Sequence, residues 1–99
     1  ATYVELARVQ NWAGQYEEAL KNAELSLIGN EEYALGHAVR AWTLNFLGES
    51  LEADAEIRQA LELEADNPLF YAYQAEILVD KGDFGDLETA NQASRKAVE

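Results

Sequence analysis

The 99-residue chain contains no cysteine, which removes disulfide frameworks, thiolate zinc sites and cysteine nucleophiles from consideration. It has one proline, Pro68, and no Asn-Gly or Asp-Gly dipeptide, so neither a proline-rich extended segment nor a meander of tight hairpins fits. No apolar run approaches the roughly 20 residues that span a bilayer, and no leader-like pattern opens the chain. Basic residues are scarce: seven stand against nineteen acidic ones, for a formal net charge of −12. Such a surface repels phosphate backbones and anionic lipid, so neither nucleic acid nor membrane is an expected partner. A protein or peptide of basic character is the electrostatically favoured one, although acidic excess also serves solubility. A cysteine-free chain is compatible with a reducing compartment, and a cytoplasmic location is the expectation.

What is present points to helix. Alanine, leucine and glutamate dominate, and their side chains lose little rotamer freedom in a helix. Glycine recurs at Gly14, Gly48 and Gly82, with both intervals 34 residues long. The surrounding segments are alike: Ala-Gly-Gln-Tyr-Glu-Glu-Ala at 13–19, Leu-Gly-Glu-Ser-Leu-Glu-Ala at 47–53, and Lys-Gly-Asp-Phe-Gly-Asp-Leu at 81–87. A fixed period of this size marks stacked copies of one supersecondary unit. The pattern predicts helices over residues 2–13, 16–28, 32–47 and 51–64. A fifth starts at Asp66-Asn67-Pro68 and ends near Lys81, and a sixth follows Asp83. Gly29-Asn30 supplies a stop after the second helix. Leu35, Val39, Trp42 and Phe46 follow a three-to-four-residue rhythm, as do Phe70, Tyr73 and Ile77. Small residues stand seven places before each turn glycine (Ala7, Ala41, Ala75) and five after the first two (Ala19, Ala53). The aromatics Tyr16 and Phe84, two places after their glycines, are expected to fill the wedge between pairs.

With these residues the chain resembles a tetratricopeptide-repeat (TPR) array, whose unit is 34 residues in helix–turn–helix form. Leu6-Ala7, Gly14, Tyr16, Ala19 and Leu27 match in the first copy. Ala41, Leu44, Gly48, Ala53, Ala60 and Leu61 match in the second, and Tyr71, Ala75, Leu78, Gly82 and Phe84 in the third. The resemblance implies an all-α fold, a right-handed α-solenoid of three antiparallel helix pairs. Residues 1–99 would form one domain, with repeats over about 1–33, 34–67 and 68–99. Departures are specific: Arg40 and Gln74 stand where the family has leucine, and Ser50 replaces the turn aromatic. Glu31 and Ala65 stand where a unit usually ends in proline, and the third copy fits only with three extra residues around Phe84-Gly85-Asp86. The chain starts at Ala1 with the repeat under way and ends without a polar capping helix, leaving Ala90, Ala93, Ala97 and Val98 uncovered. The expectation is a segment of a longer protein, or self-association through the C-terminal helix.

In this family the first helix of each pair lines a concave surface. By resemblance, the inward positions are Ala1, Val4, Arg8, Asn11 and Trp12 in the first pair. The second pair contributes Leu35, Ala38, Trp42, Asn45 and Phe46, and the third Leu69, Ala72, Glu76, Val79 and Asp80. The expected groove has an aromatic centre, an arginine at one end and carboxylates at the other, which suits hot-spot recognition of a peptide. Asn11 and Asn45 are expected to hydrogen-bond an extended backbone, since asparagine otherwise gains little in mid-helix. A clamp for the C-terminal carboxylate of Hsp70- or Hsp90-type chaperones is not supported. Its positions fall on Val4, Arg8, Val39, Leu69 and Tyr73, of which one is basic.

Catalysis is not expected. His37, the only histidine, occupies the helix position of Tyr3 and Tyr71 and reads as a packing residue. Pairs such as Glu17-Glu18 and Glu31-Glu32 are solvated or sit at helix starts, where the dipole favours them. Asp80, Asp83 and Asp86 recur every third residue, with Glu88 two places further on, unlike the alternating ligands of a calcium loop. No metal or cofactor is implied. The leading expectation is therefore a protein–protein interaction scaffold that binds a peptide or protein segment on its concave face. The alternatives are an architectural or self-association module in a longer array, or the regulatory domain of a larger enzyme.

Overall fold

Two of the five described helix starts, at Thr2 and at Asn67-Pro68, are set by short polar side chains and the lone proline, whereas the other three carry no side-chain cap. The computed structural model describes residues 2–80, which form α1 (Tyr3–Trp12), α2 (Tyr16–Leu27), α3 (Ala34–Phe46), α4 (Ser50–Leu63) and α5 (Pro68–Asp80). Thr2 Oγ1 accepts from the Glu5 amide at 3.2 Å while Glu5 Oε2 accepts from the Thr2 amide at 3.4 Å. This reciprocal box satisfies two donors that the first turn leaves open. At α5, Asn67 Oδ1 accepts from the Leu69 amide at 3.0 Å, and Pro68 occupies the first helical position, where a missing N–H costs nothing. The third helix starts two residues later than the pattern predicts. The Tyr33 amide donates to the Asn30 carbonyl at 3.2 Å, so Glu31 and Glu32 belong to the turn rather than to α3.

The ends of α1 and α3 are closed by glycine. Gly14 and Gly48 have φ of +79° and +83°, the left-handed conformation that other residues reach only with strain. The bonds around them match. Gln15 donates to the Gln10 carbonyl at 2.8 Å and Gly14 to that of Asn11 at 3.2 Å; Glu49 donates to Leu44 at 2.9 Å and Gly48 to Asn45 at 3.1 Å. Both are Schellman closures, 34 residues apart. A Cβ at position 48 would meet no heavy atom within 4 Å, so only the backbone resists substitution there. Gly48→Val is expected to destabilise by about 1–3 kcal/mol. A thermal melt equal to wild type would show that the turn does not need the positive φ.

The helices pack in sequence, each on the next; in addition α1 packs on α3 and α3 on α5. Among the described residues, α2 and α4 do not pack on each other. Fully buried alanines (Ala7, Ala19, Ala41, Ala53) sit at the recurring small positions and let the helix axes approach closely. Two apolar clusters result. One gathers Val4, Ala7, Ala19, Ala23 and Val39; the other is built around Trp42, Ile57, Phe70 and Ile77, and Leu35 packs on both. The fold is all-α, with helix packing that runs in chain order. Among the described residues, no helix is long and apolar enough to cross a membrane. The sixth helix, Gly82, the three extra residues at 84–86 and the C-terminal alanines lie outside the described residues, as does Ala1.

Candidate functional site

Five aromatic rings meet where α1, α3 and α5 come together beside the start of α2. Trp42 is central. Its ring stacks on Tyr73 of α5 with centroids 4.7 Å apart and planes 12° apart, and Trp12 at the end of α1 meets it edge-on at 5.6 Å. Phe46, one turn further along α3, lies 5.3 Å from Trp42 and stacks on Tyr16 at 4.7 Å. Stacked and edge-to-face rings each add stabilisation beyond the area they bury. Exposure differs sharply along this series: Trp42 is 5% exposed, Phe46 40% and Trp12 79%. Trp42 is thus the floor of the surface, and Trp12 projects from it.

Polar groups border the rings. Trp42 Nε1 donates to Glu76 Oε2 at 3.0 Å, a contact between α3 and α5. Arg8 of α1 hydrogen-bonds the Tyr73 hydroxyl. Burial pushes the Tyr73 phenol above its ordinary pKa; the charge and hydrogen bond of Arg8 oppose that rise and the Glu76 carboxylate adds to it. Tyr73 therefore stays neutral at physiological pH. Arg40 and Arg58 are paired with Glu56 and Asp54, whereas Arg8 has no ion pair among the described residues and its Nε is buried with no hydrogen-bond partner. An open depression of about 350 Å³ continues past Tyr16, lined also by Gly14, Gln15, Glu17, Glu18 and Leu47.

The residues expected on the inner surface divide into three groups. Trp12, Phe46, Glu76 and Val79 are exposed, and Arg8, Leu35, Leu69 and Ala72 are half-buried. Val4, Ala38, Asn11, Trp42 and Asn45 are buried. Val4 and Ala38 belong to the apolar core and shape the surface only from beneath. Asn11 departs most from its expected role. Its Nδ2 donates to Thr43 Oγ1 at 2.8 Å, and that hydroxyl donates to the Val39 carbonyl at 2.9 Å. This side chain fastens α1 to α3 and is not free for a peptide backbone. Of the clamp positions, Val39 is fully buried and Tyr73 is 6% exposed. For Asp80 only the backbone is described.

Sequence reasoning passed over Thr43, Glu56 and Gly36. His37 is buried, as its packing position implies, but it also bridges two elements. Nδ1 lies 2.9 Å from Glu56 Oε2 and Nε2 lies 2.6 Å from the Glu31 carbonyl, and Glu56 Oε1 also receives Arg40 at 3.3 Å. Arg40, three residues after His37 at a position where the resembled repeat carries leucine, was the signal for a polar contact here. Among the described residues, no three His, Asp or Glu side chains converge as a metal site would require; Asp83, Asp86 and Glu88 lie outside them. No protein-family model matches this chain, and no curated protein matches it significantly.

Proposed function

We propose that the chain is a TPR-like α-solenoid and acts as a protein–protein interaction scaffold, binding a polypeptide segment along the face shared by α1, α3 and α5. The observation that carries this reading is the helix arrangement: α1 packs on α3 and α3 on α5, while α2 and α4 stay apart. Such an arrangement suits a curved wall lined by the odd-numbered helices. The equivalent turns at Gly14 and Gly48 support the same reading. Along this wall an exposed indole and phenyl ring stand over buried aromatic support, flanked by Arg8 and Glu76. Exposed aromatic anchors with polar neighbours are the usual centres of binding energy. Binding, not bond-making, is the chemistry this arrangement suits.

Trp12 is the residue to test, because 79% exposure separates its contribution to binding from its contribution to folding. A positional library of extended decapeptides is to be titrated while indole emission is followed. Bound peptides should shift the wild-type emission to the blue, and Trp12→Ala should weaken the tightest of them about tenfold. The thermal midpoint should stay within about 2 °C of wild type. If no peptide binds, or if Trp12→Ala binds as tightly as wild type, the face is not the docking surface.

A further inference from the structure

Among the described residues, one carboxylate on the aromatic face has no ion-pair partner. Glu76 is exposed on α5, and its Oε2 receives the indole N–H of Trp42 at 3.0 Å. That donor is neutral: it fixes the carboxylate in place and leaves its charge intact. Arg8 borders the same rings, yet it makes no ion pair with Glu76 and interacts instead with the Tyr73 hydroxyl. Trp42 also supports Trp12, whose ring meets it edge-on at 5.6 Å. A fixed carboxylate and an exposed indole face are therefore both in contact with one buried ring.

We propose that this corner of α1, α3 and α5 is a seat for an arginine side chain of a partner segment, with the guanidinium lying over Trp12 and donating to Glu76. Indole is the best aromatic face for a cation. A guanidinium can stack on a ring and direct a planar fork of donors at a carboxylate together, which an ammonium does less well. The excess of nineteen acidic over seven basic residues attracts such a segment over a longer range. Arg8 acts in the opposite sense, since its charge repels the incoming cation. The inference rests on the peptide-binding reading and names the chemistry of one anchor within it.

The test uses a capped heptapeptide, Gly-Ser-Gly-Arg-Gly-Ser-Gly, and versions with citrulline, lysine or glutamate in place of the arginine. The Trp12 indole N–H resonance reports binding at low salt. The arginine peptide should bind most tightly. The citrulline peptide, nearly the same shape without the charge, should bind at least fivefold more weakly, and the glutamate peptide should not bind. Glu76→Gln keeps an acceptor for Trp42 and removes the charge; it should weaken the arginine peptide about fivefold with an unchanged melt. Arg8→Gln should leave that affinity equal or tighter. Equal binding of the arginine and citrulline peptides, or full affinity in Glu76→Gln, overturns the arginine seat. If library decapeptides move the Trp12 resonance while the arginine peptide does not, the seat is wrong and the groove stands. If neither moves it, both fail.

Discussion

Trp42→Ala is expected to lower the unfolding free energy by about 3–5 kcal/mol, measured by denaturant titration. The residue is 5% exposed, stacks on Tyr73 at 4.7 Å, meets Trp12 and Phe46 and donates to Glu76. Removing it opens a cavity at the junction of α1, α3 and α5 and strands several ring faces at once. A domain of this length has roughly 5–15 kcal/mol of stability in total, so the variant should lie close to the limit of folding. Trp42→Phe separates the contributions. It keeps an aromatic stack on Tyr73 but loses the N–H to Glu76, and should cost about 1–2 kcal/mol. A Trp42→Ala protein with a wild-type midpoint would mean that the ring is a surface group and that the aromatic floor does not exist.

This expectation differs from the sequence reading, in which Trp42 belongs to the aromatic centre of an inward-facing groove. The difference shows where one-dimensional reasoning stops. Periodicity reports which turn of a helix a residue occupies, and the 34-residue repeat located Gly14 and Gly48 at matching corners with the same closing bonds. The bounds of the five described helices fell within two residues of expectation, because caps and stops are local chemistry. Depth is not local. Trp12 and Trp42 were both placed on the inner face, yet one is 79% exposed and the other 5%. Trp42 is on the middle odd-numbered helix and is covered from both sides, whereas Trp12 is on the first.

Asparagine was misleading in a related way. Asn11 and Asn45 recur at one register position, and recurrence cannot distinguish a residue facing a groove from one facing the neighbouring helix. What decides it is Thr43, 32 residues after Asn11, whose hydroxyl accepts the Asn11 amide. A polar residue in a spacing that falls just short of one repeat was the available sign. The His37–Glu56–Arg40 contact was hidden similarly, since Glu56 is on α4 while His37 and Arg40 are on α3, and only the packing of the two helices brings them together.

Gly36→Val is expected to destabilise by about 3 kcal/mol, and the cost is steric rather than conformational. A Cβ at this position would sit 2.7 Å from Ser26 Oγ, 2.8 Å from Leu27 Cδ2 and 3.2 Å from the Tyr33 ring. Gly36 therefore lets the start of α3 rest directly on the end of α2, the step that joins the first helix pair to the second. Ser26 cannot move aside freely, because its hydroxyl donates to the Ala23 carbonyl at 2.5 Å; Leu27 is the softer neighbour. Overpacking of this kind costs about 1–3 kcal/mol, and a valine brings two methyl groups beyond the Cβ. The better helix propensity of valine returns only about half a kcal/mol. Gly36→Ala should cost about 1 kcal/mol net by the same reasoning. Ser26→Ala placed in the Gly36→Ala background should recover at least half of that loss, a positive coupling that two independent sites would not show. Additive losses in that cycle, or a Gly36→Val protein that melts with wild type, would place the α2–α3 junction elsewhere.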